Sequence, residues 1–155
     1  MHAMVFVTSL GGLAALLVAA AWGDITRFTI PNRLNAAIAL LAVAYWWGAQ
    51  FTLAEVGIQV GLAVLVFLIF AAAFAAGLMG GGDVKMLAAL ALWLRPGELL
   101  TMLVAMSLAG GVLTLALLAR HRLLRREGQP EVPYGVAISV AACLLFYEPI
   151  LNQFA

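Results

Sequence analysis

Residues 4–34 read MVFVTSLGGLAALLVAAAWGDITRFTIPNRL, an apolar run from Met4 to Trp22 that gives way to a polar string opening at Asp24 and closing on Pro31, Asn32 and Arg33. A helix rises about 1.5 Å per residue and the hydrocarbon core of a bilayer is about 30 Å thick, so roughly 20 apolar residues make one span. Met1 to Leu10 carries no Lys or Arg, and the run exceeds the apolar region of a signal peptide, so it reads as a first membrane helix. Working outward, further apolar segments run from Leu34 to Gln50, Ile58 to Leu78, Val84 to Leu94, Leu99 to Ala119 and Tyr134 to Leu151. The fourth is too short to cross alone. Either it is a partial span or its predecessor, Met79-Gly80-Gly81-Gly82-Asp83, dips below the membrane surface, and both options put Asp83 near or within the membrane. The fold class predicted is all-α: a polytopic membrane bundle of about six transmembrane helices, the fourth short, with residues 1–155 forming a single transmembrane domain.

Composition agrees. Of 155 residues, 66% are hydrophobic and 10% charged, with a mean hydropathy of +1.11, which excludes an ordinary water-soluble globule. Eight Lys and Arg against seven Asp and Glu supply no field for a nucleic-acid partner. Cys143 is the single cysteine, so it has no intrachain disulfide partner and no companions for a zinc cluster. No metal or cofactor is expected.

Orientation follows from the basic residues, which cytoplasmic loops retain. With six spans and an external N-terminus, inner connections hold Arg27, Arg33, Lys85, Arg120, Arg122, Arg125 and Arg126, leaving Arg95 outside. Trp22 and Tyr134 then fall at inner ends, and Tyr45, Trp46, Trp47, Trp93 and Tyr147 at outer ones, as interfacial belts do. Both termini lie outside. Asp24 and Asp83, remote in sequence, come to one cytoplasmic face.

Two acids at one depth of a helical bundle are costly unless hydrated, paired or used. Asp24 closes the first helix, and Pro31 and Asn32 stop and restart the backbone after it. Asp83 follows three glycines, which lack a β-carbon and tolerate positive φ, so a substrate chain can approach the backbone beside the carboxylate. Two carboxyls a few ångströms apart in a desolvated cleft titrate as a unit holding one shared proton. That state suits peptide hydrolysis: the ionised member takes a proton from water while the protonated member polarises the scissile carbonyl.

These residues carry a resemblance. Asp24 with Arg27, Ile30, Pro31 and Asn32, then Gly80, Gly81, Gly82, Asp83, Val84 and Lys85, are similar to the motifs of the type IV prepilin peptidases, membrane aspartyl proteases of the GxGD kind. Val132, Pro133, Tyr134 and Gly135 resemble the entry to that family's last helix, so the likeness extends over essentially the whole chain. It is nearest to the short peptidases of tight-adherence (Flp) pilus systems, since larger relatives carry an added cytoplasmic segment with a cysteine-rich zinc site. The resemblance implies a bacterial inner-membrane endopeptidase that removes a short basic leader from a prepilin or pseudopilin at the cytoplasmic face, cutting after glycine. It places Asp24 and Asp83 in the catalytic positions, with Gly80, Gly81, Gly82, Pro133 and Tyr134 toward substrate and Arg27, Pro31, Asn32 and Lys85 in support. The N-terminal methylation that longer relatives perform is not expected.

Other readings compete. An acid at a helix end also serves as a cap or a solvated group, Gly80–Gly82 as a simple hinge, and Asp83 as the cap of the fourth helix. Arg27 and Lys85 read most simply as snorkelling cations, and the Arg120–Arg126 cluster as a topology signal that touches anionic lipid. Gly57 with Gly61, and Gly110 with Gly111, read as surfaces for close helix packing. Glu55, Glu98 and Glu148 fall at outer ends, where they are solvated; His2 and His121 stand apart from any ligand set. A small proton- or cation-coupled transporter using the paired aspartates is the main alternative, disfavoured because both acids lie near one face and no inverted repeat is visible. A presenilin-like protease and a catalytically idle assembly factor complete the alternatives.

Overall fold

The computed structural model describes residues 1–123 and 133–151. Expectations resting on Arg125, Arg126 and Val132 lie outside the described residues, as do the side chains of Arg122, Tyr147 and Glu148. The regular elements described are all helices: α1 (His2–Arg27), α2 (Asn32–Gly48), α3 (Leu53–Ala75), α4 (Gly81–Ala91), α5 (Pro96–Leu123) and α6 (Tyr134–Leu151). Three stretches are long and apolar enough to cross a membrane, namely α1, α3 and Pro96–His121 of α5. The others are shorter, with α4 at 11 residues, as its apolar run foretold.

Several helix ends differ from the sequence expectation, each for a local reason. α1 continues past Trp22 because no proline breaks it before Pro31 and one glycine, Gly23, is tolerated within a helix; the Thr26 hydroxyl donates back to the Trp22 carbonyl at 2.7 Å. Asp24 therefore sits within the last full turn of a helix and not beyond its end. Phe28 then takes a left-handed conformation (φ 49°) while its N–H closes on the Asp24 carbonyl at 3.0 Å. That conformation is sparsely populated for a side chain of this size. α3 starts at Leu53 and not Ile58, because the Thr52 hydroxyl accepts from the Glu55 N–H and the Glu55 carboxylate accepts from the Thr52 N–H at 2.8 Å, a reciprocal cap. α5 starts earlier than Leu99, with Pro96 at its first position and the Glu98 carboxylate accepting from the Arg95 N–H at 2.8 Å.

The glycine run is a correction of kind. Gly81 and Gly82 are helical, and Gly80 caps α4 with φ −73°. Gly77, at φ 72°, is the positive-φ glycine among the described residues. What Gly80–Gly82 contribute is therefore room.

Packing arranges four helices in a ring. α1 contacts α2 and α6, α4 contacts α2 and α6, and α3 and α5 lie outside against α4 and α6 respectively. α4 is the most enclosed: Val84, Met86, Leu87, Ala89, Leu90 and Ala91 are all buried, as befits a helix touched by three others. Apolar attraction between helices is weak in lipid, so close shape matching holds such a ring together. At Gly48 a β-carbon would sit 2.6 Å from the Phe6 backbone nitrogen, so glycine there lets α2 lie directly on α1.

The end of the ring away from Asp24 is closed by aromatic rings. Trp93 is fully buried, stacks at 4.9 Å from Tyr45 and 6.1 Å from Phe146, and donates its indole N–H to the Ile38 carbonyl at 3.1 Å. Trp93 is thus part of the core, against the expectation of an interfacial belt residue: the chain after the short α4 turns inward, where an indole fills more space than any aliphatic side chain. Trp22 at 70% and Trp47 at 49% exposure do lie outside. Gly57, Gly61 and Gly111 face open space within this chain, while Gly110 lies against the Tyr134 ring. Close packing is therefore realised at Gly110 alone of those four.

Candidate active site

The buried positions of α1 recur as Leu10, Leu13, Leu17, Ala20 and Asp24. Steps of three and four residues keep one helix face toward the ring, and the acid occupies the last place on that apolar stripe, 5% exposed. Its Oδ2 accepts from the Val136 N–H at 3.2 Å, and the Gly135 amide is also directed at it. These belong to the first turn of α6, where the Val136 N–H is shared between Asp24 and the Pro133 carbonyl, each at 3.2 Å. An acidic oxygen there also meets the positive end of the helix dipole. Asp24 consequently docks the end of α1 onto the start of α6.

Asp83 lies in the first turn of α4 and is 9% exposed. Its carboxyl turns back toward the start of α4, where a β-carbon at Gly80 would sit only 2.9 Å from Asp83 Oδ2. Asp83 thus stands in the first turn of α4 with its carboxyl beside Gly80.

One side chain ties the two acids into a single place. Ile30, 4% exposed, returns from the bend after α1. A β-carbon at Gly135 would meet Ile30 Cδ1 at 2.7 Å and Asp24 Oδ2 at 2.8 Å, and one at Gly82 would meet Ile30 Cβ and its carbonyl oxygen at 3.2 Å. A side chain at Gly135 would overlap its neighbours and one at Gly82 would press tightly on Ile30, so both glycines abut Ile30, one beside each acid. The C-terminal end of α1 and the N-terminal ends of α4 and α6 thereby converge.

The flanking residues divide. Asn32 and Lys85 meet, the Lys85 ammonium donating to Asn32 Oδ1 at 2.8 Å across α2 and α4. Pro31 caps α2 in an extended conformation, and its carbonyl accepts from the Leu34 and Asn35 amides. Gly81 faces the Phe74 ring at 3.3 Å, on the α3 side. Arg27 is exposed, and among the described residues its side chain makes no hydrogen bond to either acid. The Tyr134 ring packs on Gly110 of α5, away from the acids, so of the proposed entry to the last helix it is Gly135 that reaches them.

Asn35 escaped the sequence reading. It is 5% exposed and its side-chain amide donates to the Gly82 carbonyl at 3.0 Å. A signal was present: asparagine is rare inside an apolar helix, and Asn32 and Asn35 fall three residues apart, on one face.

A helical protein of membrane-crossing composition, with two enclosed carboxyls toward one end of a four-helix ring, is the class that fold and site define. The sequence pattern of the type IV leader peptidase family matches residues 12–115, a stretch that includes both Asp24 and Asp83. A prepilin leader peptidase/N-methyltransferase of Aeromonas salmonicida strain A449 is 33% identical over 156 aligned positions, covering 90% of this chain and 50% of the relative. A second sequence so described from Aeromonas salmonicida gives the same figures. No solved structure matches. The chain belongs to the type IV leader peptidase family, and spans about half the length of the curated relatives it matches.

Proposed function

We propose that this chain is an aspartic endopeptidase that removes the short basic leader of a type IV prepilin or pseudopilin, cutting after glycine at the cytoplasmic side of a bacterial inner membrane. The observation that carries the proposal is the convergence of Asp24 and Asp83 through Ile30, Gly82 and Gly135. Acids kept only as caps need no common location.

In this reading one carboxyl is ionised and one protonated when substrate arrives. The ionised group removes a proton from water as the water oxygen bonds to the scissile carbonyl carbon. The protonated group donates a hydrogen bond to the carbonyl oxygen, which gains the electron pair of the C=O bond. Collapse of the tetrahedral adduct breaks the C–N bond, and the proton just collected goes to the leaving amine. Low exposure of both acids strengthens these interactions by excluding bulk water. Methylation of the new N-terminus forms no part of the proposal.

Coexpression with a prepilin, followed by the mobility shift that marks leader loss, tests the reading. Asp24→Asn and Asp83→Asn each keep the shape and hydrogen-bonding size of the side chain but cannot take up the proton. Each should stop processing while membrane insertion stays parental. Parental processing by both single variants would refute the pair.

A further inference from the structure

We infer that Asn35 is a positioning residue for Asp83: its side-chain amide, reaching from α2, holds the first turn of α4 where the carboxyl must stand. The inference rests on the proposed catalytic role of Asp83.

The amide can be oriented in one way only. The Gly82 carbonyl is an acceptor, so the Asn35 nitrogen must face it, and the contact is 3.0 Å. Asn35 Oδ1 then points elsewhere, and it is buried with no hydrogen-bond partner among the described residues. A half-satisfied buried amide is a poor choice for stability. Enclosing an acceptor without a donor costs more than a neutral hydrogen bond usually returns, whereas an apolar side chain of similar size costs nothing of the kind. The Gly82 carbonyl also lies in the first turn of α4, where helical geometry already provides it with an N–H four residues on. Fold stability therefore gives no account of this side chain, and the place of its bond does: Gly82 is the residue before Asp83.

The surroundings support a tether. Asn32, one turn earlier on α2, accepts from Lys85 at 2.8 Å, so two side chains of one α2 face hold the same first turns of α4. The Lys85 contact is exposed and contributes little rigidity; the Asn35 contact is enclosed. Beyond it, α2 and α3 part over α4 to leave an apolar groove of about 470 Å³, walled on the α3 side by Val60, Ala63, Val64 and Phe67. Charged groups placed near position 35 include Lys85, which shares the groove wall, Asp83, next in the chain to Gly82, and Arg33, two residues earlier on α2.

Three variants test this in purified protein with a fluorogenic prepilin peptide, with kcat, KM and thermal stability measured on each. Asn35→Leu removes donor and orphan acceptor together. It should leave the melting temperature equal or higher and KM near parental, and lower kcat by roughly 10- to 100-fold, the loss that follows a misplacement of about 1 Å. Asn35→Asp has the same shape but can donate to Gly82 only when protonated. Its activity should approach the parent at low pH and fall as pH rises, while Asn35→Leu stays low throughout. Asp83→Asn is the reference: if it cleaves, the catalytic reading fails, and if it is inactive while Asn35→Leu has the parental kcat, the positioning role alone fails. Loss of activity by Asn35→Leu in step with a falling melting temperature, or an Asn35→Asp pH profile parallel to the parent's, would also overturn the inference.

Discussion

Gly135→Ala adds one carbon atom to the residue on which the two halves of the site lean. The new β-carbon would lie 2.7 Å from Ile30 Cδ1, 2.8 Å from Asp24 Oδ2 and 2.9 Å from Asp24 Cγ. Ordinary carbon–carbon contact begins near 3.5 Å, so the carboxyl, Ile30 or the start of α6 must move by about half an ångström or more. Movement of the carboxyl stretches its 3.2 Å bond from the Val136 N–H; hydrogen bonds involving a charged partner contribute about 1.5–3 kcal/mol. With a tenfold rate change per 1.4 kcal/mol, loss of that orientation at the transition state lowers kcat/KM by roughly 10- to 100-fold. Gly111→Ala is the control, since its β-carbon would meet nothing within 4 Å and alanine is the better helix former. The assay is leader cleavage per folded molecule, with folding followed by thermal melting. Parental cleavage by Gly135→Ala, or equal damage from Gly111→Ala, would refute the reasoning that Gly135 is kept for room beside Asp24.

Further outcomes follow from other parts of the ring. Trp93→Phe removes the indole donor from the buried Ile38 carbonyl and should lower stability by about 1–3 kcal/mol in a denaturation series, with cleavage per folded molecule unchanged because the aromatic plug lies at the end remote from the acids. Thr52→Ala breaks the reciprocal cap of α3 and should cost about 0.5–2 kcal/mol, read as an earlier melting transition. A cysteine at the exposed Thr26, in a Cys143→Ala background, should react with membrane-impermeant thiol reagents only from the cytoplasmic side. Labelling from outside would invert the proposed orientation.

Hydropathy alone located the helices, because a span needs an apolar run whose length the bilayer dictates, and α6 begins and ends where its run does. Where ends were misplaced, the deciding chemistry was local and polar. The Thr52-to-Glu55 cap spells a recognised signature, so that end is readable by attention to caps over hydropathy, whereas Gly23 offers a false stop within α1 and the first proline after it is Pro31. Trp93 and Asn35 were not legible in that way. Whether an indole lies at an interface or inside a ring depends on how a short helix turns between its neighbours, and an asparagine's partner 47 positions along the chain is a fact of packing. Of the candidate site, the two acids were visible through their rarity in an apolar sequence. Ile30 and Gly135 appeared only as parts of motifs; their work as spacers emerges from distances between three helix ends.

The most direct measurement is single-turnover cleavage by protein reconstituted in liposomes, comparing the parent, Asp24→Asn, Asp83→Asn and the double variant. Groups that act as one unit are non-additive, so each single substitution should abolish cleavage as fully as both together. Appreciable cleavage by either single variant, or losses that multiply in the double, would contradict a shared role for the two acids.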